Sequence, residues 1–413
     1  MYYEFPRITH LNEVLEAVKD NDGFIVVDRG TYTIVNYVGI KHNDLFPGVW
    51  KLSDGPEVAR KNSILRECRG ITFDNATGRV IARKFHKFFN LGERPECDIG
   101  TFVNYNARHH IAEKLDGSMI TPVPIANSSG QEGMMHIEWH TKMGKTTVAD
   151  QVLPYVDENP QYHKLALVCA MEGFTPIFEW CSPQQRIVVN HKEDQLILTA
   201  IRNNETGEYH NRQQLEVVAE AWGLPLVKTF DRGNIEDFVQ HTRNLTDKEG
   251  YVITFNDGHK IKLKSDWYVM LHKTKDKISH ERYVVELIIN EAIDDILPVL
   301  QEEDREMVEK YFNEFTYVIT KEANYIRTFV NKTAAWCPDR KDFALQVTNK
   351  LQPKAQSVAF KAFPLLPAER TLKVYEELIS VLKRGVSSNR NFAEVKRDFF
   401  PNIKYRGIWA TDE

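Results

Sequence analysis

Two textures of hydrophobic patterning meet near residue 275 of the chain. Before that point, short runs alternate apolar and polar positions and are cut by turn signals. Examples are Thr31–Tyr37, Gly70–Phe73 ahead of Asn75–Gly78, and Arg79–Arg83. A period of two is the signature of a strand buried on one face. Asn256-Asp257-Gly258 separates the runs 250–255 and 260–264, and such a turn between alternating runs predicts a hairpin. After residue 275 the period lengthens. Val308, Tyr311, Phe312, Phe315, Val318, Ile319, Ile326 and Phe329 recur at three- and four-residue steps, which is the stripe of an amphipathic helix. Tyr283–Ile296 and Leu372–Leu382 share that period. The expected fold class is α+β: antiparallel sheets with flanking helices over 1–275, then an all-α domain over 276–413. Ser128-Ser129-Gly130 reads as a loop inside the first domain.

Composition narrows the class. With 413 residues the chain can hold two or three domains, and 42% apolar with 27% charged residues is ordinary for a globular protein. The net charge of −5 excludes a globally basic coat protein but leaves room for a basic groove. The longest apolar run, Leu165–Met171, is far short of the ~20 residues that span a bilayer, so no membrane partner is expected. The start, Met1-Tyr2-Tyr3-Glu4-Phe5, lacks the pattern of a secretory signal. Five cysteines at 68, 97, 169, 181 and 337 form no C-x-x-C pair and suit a reducing compartment. The expected location is the cytoplasm, or a host's cytoplasm if the chain is phage-encoded.

Two superficial motifs fail on inspection. Met143-Gly144-Lys145-Thr146 imitates the end of a phosphate-binding loop, but Trp139 stands where that loop needs glycine. His136-Ile137-Glu138-Trp139-His140 imitates a zinc-protease helix, but its glutamate is misplaced and its surroundings alternate like a strand. The informative segment is Lys114-Leu115-Asp116-Gly117. Around it stand Glu67-Cys68-Arg69-Gly70, Lys87-Phe88-Phe89-Asn90, Phe178-Glu179, Glu249-Gly250 and Lys260-Ile261-Lys262-Leu263-Lys264. In the last run a strand would set three ammonium groups on one face. Like charges so placed either guard a solvated sheet edge or meet an anion such as a polyphosphate.

This ordered set resembles the covalent nucleotidyltransferases, the superfamily of polynucleotide ligases and RNA-capping enzymes. Lys114-x-Asp116-Gly117 looks like its motif I and Phe178-Glu179 like motif III. Leu198–Tyr209 looks like motif IIIa, Glu249-Gly250 like motif IV, and Lys262-x-Lys264 like motif V. DNA ligases and capping enzymes usually carry an arginine two residues after the motif I glycine, where this chain has Met119. They also follow motif V with a β-rich domain, where this chain turns helical. With Lys264-Ser265-Asp266-Trp267-Tyr268 added, the pattern is similar to the bacteriophage RNA ligase 1 family, whose members reseal cleaved tRNA anticodon loops.

The resemblance implies an ATP-dependent RNA ligase joining 5′-phosphate and 3′-hydroxyl ends through lysyl-AMP and adenylated RNA. The alternatives are an RNA-capping nucleotidyltransferase and an inactive RNA-binding relative. It makes Lys114 the nucleophile and assigns Tyr37, Arg69, Lys87, Glu179, Lys262 and Lys264 to ATP. Lys142, Gly250 and Tyr268 match positions important in the family. Glu249 and Asp294 are candidate ligands for Mg2+, which prefers hard oxygen donors. Neighbouring cations and burial are expected to lower the pKa of Lys114, since only a neutral amine attacks phosphorus. Phe89 suits a purine platform or the core equally. The implied partners are RNA, a tRNA with a broken anticodon loop in particular, and an end-healing polynucleotide kinase/phosphatase acting beforehand.

Residues 383–407 carry basic side chains, among them Arg390, Lys396 and Arg397, interleaved with Phe392, Phe399, Phe400 and Tyr405. Cations there can hold phosphates while aromatic faces stack bases. Equally, the aromatics can be core and the charges a solvated face.

Overall fold

A computed structural model describes residues 4–37, 45–48, 55–98, 109–126, 135–185, 187–230, 235–337 and 339–407. The Ser128–Gly130 loop expected from sequence lies outside these residues. The chain divides into two compact units, Met1–Val269 and Met270–Glu413.

The first unit is built on three sheets. Strands β1 (Phe24–Asp28), β2 (Tyr32–Tyr37), β3 (Arg69–Asp74) and β4 (Val80–Ala82) form an antiparallel sheet in that order. The next strands are β5 (Phe89–Asn90), β6 (His109–Lys114), β7 (Ser118–Ala126), β8 (Met135–His140), β9 (Phe174–Cys181) and β10 (Gln195–Asn203). The last are β11 (Thr229–Phe230), β12 (Gly250–Phe255) and β13 (Lys260–Lys264). A second sheet has the order β10-β9-β7-β8 and a third β11-β6-β12-β13-β5. Among the described residues the paired strands run antiparallel except β5 with β13. The hairpin expected at 256–258 joins β12 to β13.

Alternation along these strands sorts apolar residues inward. Val35, Ile71, Phe73, Ile111, Ile253, Ile261 and Leu263 share one core with Val14 and Val18 of the helix Leu11–Val18. That helix starts at a capping box in which Glu13 accepts from the backbone N–H of His10. Ile120, Trp139, Phe178, Leu196 and Leu198 form another core under the helices Thr147–Glu158 and Gln161–Met171. The strand β8 carries His136 to His140, so the zinc-protease imitation is a strand; His140 is buried and bonded to Glu138 at 3.0 Å. All five cysteines are buried and free.

The sheets are locked by a buried ion triad. Glu67 pairs with Arg83 at 3.0 Å and Arg202 at 2.7 Å. The Arg202 guanidinium also lies against the rings of Phe5 and Tyr209, 4.8 and 4.7 Å from their centroids. Three buried charges stay ionised only because each is paired and hydrogen-bonded. Burial alone would raise the Glu67 carboxyl, but Arg202 and Arg83 outweigh it and hold its pKa low. Arg202 from the motif IIIa region therefore serves the frame.

The second unit is helical. Its spine is Glu302–Trp336, whose Val308, Tyr311, Phe315, Ile319, Ile326 and Val330 face inward at helical spacing. Leu372–Leu382 lies within the helix Pro367–Gly385. The helix expected over Tyr283–Ile296 is shorter, Glu281–Ile289, and Glu291 then takes a positive φ of 57°. Asp294 and Asp295 accordingly sit exposed in a turn. In the tail the aromatics are core: Phe399 and Phe400 are buried, and Phe400 packs on Phe315 at 5.1 Å between centroids. This settles against base stacking by the Phe399 and Phe400 faces. No helix among the described residues is long and apolar enough to cross a membrane.

Candidate active site

Lys114 ends β6, at the point where the chain leaves one sheet and turns through 115–117 into β7 of another. The turn must be tight because Gly117 lies under Trp180: a Cβ there would be 2.3 Å from the Trp180 carbonyl oxygen. Asp116 is buried and anchors the turn. Its Oδ2 accepts from the N–H groups of Val188 and Val189 at 2.7 and 2.6 Å, and its Oδ1 accepts from the Tyr268 hydroxyl at 2.7 Å. The K-x-D-G aspartate thus positions the lysine and does not face it as a base. Tyr268 is the other half of that anchor.

Register assembles the rest. Gly250 pairs with Lys114 on one side and with Lys264 on the other, so three neighbouring strands bring these residues into one row. Gly250 has a φ of 139°, and a Cβ there would stand 2.0 Å from the Leu263 carbonyl oxygen, so only glycine fits. Glu249, next in the chain, turns its carboxylate to both lysines. Oε2 accepts a hydrogen bond from Lys114 at 2.7 Å, and Oε1 forms an ion pair with Lys264 at 3.0 Å. Glu249 is 4% exposed whereas Lys114 keeps 21% of its side chain accessible, enough for a small molecule to reach it.

The strand β13 lies between β12 and β5, which overturns the solvated-edge reading of its lysines. Lys262 has its ammonium over the Phe88 ring at 4.6 Å. Burial, then Arg69, Lys114, Lys87 and Lys264, push its pKa well down. Lys260 parts company with the other two. It is buried, bonded to Thr254 at 2.9 Å and covered by the Tyr209 ring.

Tyr37 marks the opposite wall. The ammonium groups of Lys142 and Lys87 lie over its ring at 4.8 and 5.3 Å. Burial would raise its hydroxyl, but Lys87, Arg69 and Lys142 draw the pKa below its ordinary value. The Arg69 guanidinium reaches the Met119 sulfur at 3.2 Å. An arginine from β3 therefore stands against the position that lacks one. Phe89 is 2% exposed and belongs to the core, so it offers no purine platform.

Two carboxylates temper this positive field. Glu179 pairs in register with Met119, and burial pushes its carboxyl up to about 7, with Lys114 opposing and Glu249 adding to the shift. The expected lowering of Lys114 is not found. Burial alone would lower it, but Glu249 and Glu179 prevail and raise its pKa, holding an ammonium. Sequence reasoning counted the lysines around Lys114 and missed the carboxylate that bonds to it.

A sequence model of the family described as RNA ligase matches residues 67–268, from the buried Glu67 to the anchoring Tyr268. Residues 67–268 thus resemble the RNA ligase family. The chain is 29% identical over 265 residues to a protein of Thermovibrio ammonificans named as a candidate RNA ligase, covering 62% of this chain and 66% of that one. It is 28% identical over 243 residues to RNA ligase 1 of bacteriophage TS2126, covering 57% and 58%. A solved archaeal ATP-dependent RNA ligase shares 12% identity at a TM-score of 0.40, over 67% of this chain and 64% of that one. The chain thus spans just under two thirds, or less, of these relatives' own lengths.

The remaining expected residues lie in the second unit, outside the matched region. Asp294 is exposed, and among the described residues no group of three His, Cys, Asp or Glu side chains is placed to hold a metal ion. Lys396 is in an ion pair with Glu281, and Arg397 pairs with Asp398 at 2.8 Å. Arg390 is exposed.

Proposed function

We propose that this chain is an ATP-dependent RNA ligase that charges itself with AMP on Lys114. The observation carrying the reading is the row Lys114–Gly250–Lys264 with Glu249 beneath it, inside the region that matches the RNA ligase family. Lys114 Nζ attacks the α-phosphorus of ATP, a P–N bond forms, and pyrophosphate leaves. AMP then passes to the 5′-phosphate of RNA, and the RNA 3′-hydroxyl displaces it to close the phosphodiester. Arg69, Lys87 and Lys264, with Lys262 as a further cation whose proton a bound phosphate would stabilise, supply positive charge where phosphoryl oxygens gain negative charge, so little reorganisation is needed as the barrier is crossed. Tyr37 and Glu179 border the base and ribose. Lys142, beside Tyr37, serves the later steps.

Lys114 must shed a proton first, and Glu249 opposes this. Glu249 and Glu179 are oxygen donors beside the nucleophile, a pair suited to a divalent ion that keeps most of its water, as Mg2+ does. Such an ion would supply charge neutralisation on the phosphates and relieve the hold of Glu249 on the ammonium. Asp294 was the second ligand suggested by sequence, and its exposed turn lends it no support.

The finer reading is repair of tRNA with a broken anticodon loop, with the helical unit choosing the RNA. It is supported by the family resemblance and by the chemistry of the ends: a 5′-phosphate and 3′-hydroxyl must be made by a kinase/phosphatase before sealing. Incubation with ATP or GTP and a divalent ion, followed by intact-mass measurement, is the test. A gain of one AMP, lost in Lys114→Ala, is expected. A GMP adduct would favour capping, and no adduct would favour an inactive RNA-binding relative.

A further inference from the structure

The five-stranded sheet has a groove at the end away from Lys114. Where His109 and His110 begin β6 and Thr254 and Phe255 end β12, the first unit carries a groove of about 1180 Å3. Its nearest lining residue on β6, His110, stands four positions from Lys114, ~13 Å at ~3.3 Å per residue, so the groove is not part of the nucleotide site.

Its walls pair imidazoles with aromatic rings. His109 lies against Phe255 with centroids 5.5 Å apart, and Phe174 against His210 at 4.9 Å. Hydrogen-bonding capacity is left over. The buried Nδ1 of His210 has no partner among the described residues. The carboxamide oxygen of Asn203 accepts from the N–H groups of Glu205 and Thr206, and that of Asn211 from the N–H of Gln214, which turns both amide NH2 groups into spare donors. Burial, with Lys260 and Arg212 nearby, lowers His110 to about 4, and burial lowers His210 as well, so both are neutral near pH 7 and can each donate and accept.

Charge decides the ligand class. The cations lining the groove are Arg7 and Arg212, committed to Glu205 and Glu216, while Glu4, Glu208 and Asp257 also line it. With three carboxylates against two arginines that already face carboxylates, the described lining does not favour a phosphate. A flat, neutral heterocycle with donors and acceptors on its edge would find aromatic faces, imidazole nitrogens and amides. We propose that this groove holds an unpaired nucleobase of the RNA strand, several nucleotides from the ends being joined. The proposal rests on the reading of the chain as an RNA ligase.

The test uses the full chain and a short single-stranded oligoribonucleotide carrying 4-thiouridine. Irradiation should crosslink it to peptides that hold Phe174, His210 or His109. The double variant H110A/H210A should bind the same strand about 5- to 100-fold more weakly, the range for losing one stacked and hydrogen-bonded base. Its salt dependence should keep the wild-type slope, because no phosphate contact is removed. Excess free adenosine or uridine distinguishes a nucleoside site, which it would block, from one needing the strand. Crosslinks confined to other peptides, or wild-type affinity in the double variant, would overturn the inference. Lysyl-AMP formation is read separately: absent in wild type it sinks the ligase reading, whereas an intact adduct with no groove crosslink sinks only this one.

Discussion

Lys114 donates a hydrogen bond to Glu249 at 2.7 Å, so the amine that should act as nucleophile is held protonated by the carboxylate beside it. The raised pKa has a signed consequence. The neutral fraction of Lys114 increases with pH, so the rate of adduct formation should climb on the alkaline side and be smallest in acid. Initial rates of AMP-adduct formation across a pH series check this. A rate that falls from neutral to alkaline pH, with the protein still folded, would contradict it. In Lys114→Ala the adduct should vanish altogether, while RNA already carrying AMP at its 5′ end is still sealed.

Lys262→Ala and Lys264→Ala should each slow adduct formation by a factor of ~100–1000, equivalent to ~2.7–4 kcal/mol of lost charge stabilisation. The strand that carries them is interior to its sheet, so they are not the guards of an edge. Single-turnover rates with labelled ATP are the measurement. Rates within a few-fold of wild type for both would remove these lysines from the phosphate site.

Tyr268→Phe deletes one hydroxyl and leaves Oδ1 of the buried Asp116 without that donor. A buried acceptor that loses its partner costs ~1–3 kcal/mol. The urea midpoint should drop accordingly, and adduct formation should slow more than binding of ATP weakens, because the anchor positions Lys114. A variant with unchanged midpoint and rate would show that the hydroxyl is dispensable.

Glu67→Gln breaks a carboxylate shared by two buried arginines, which should cost ~3–5 kcal/mol. Because its pKa is depressed in the folded state, Glu67 contributes stability that is fully present above the ordinary carboxylate range. That stability is lost as the pH falls through the depressed value. Thermal melts against pH should therefore show an acid limb that is flatter in the variant. An identical limb in both proteins would assign the acid sensitivity elsewhere.

In the tail, Arg390→Glu should weaken tRNA binding without changing the melting temperature, since Arg390 is exposed. Lys396→Glu should lower the melting temperature because it sets two carboxylates together at Glu281. Melts beside salt-dependent binding separate the two effects. Equal melting temperatures for both variants would be inconsistent with a structural Lys396 pair.

The sequence by itself determined the local periods and the order of the chemical groups. Alternation declared the hairpin from Gly250 to Lys264, and three- and four-residue spacing declared the helix that became Glu302–Trp336, whereas the succession Lys114, Glu179, Glu249 and Lys262 spoke of nucleotide chemistry only through the family it resembles. Such features are legible because they depend on neighbours a few residues away. Tertiary structure decided everything that needs two distant segments at once. Only register could set Lys114 and Lys264 on either side of Gly250 and so give Glu249 two cations to hold, reversing the expected pKa shift of Lys114. Only packing could assign Phe89, Phe399 and Phe400 to the core, because an aromatic side chain reads the same in sequence whether it will face a base or another ring. The helix expected through Ile296 stopped at Ile289 for a related reason: its apolar spacing continues into a segment where the backbone has already turned at Glu291.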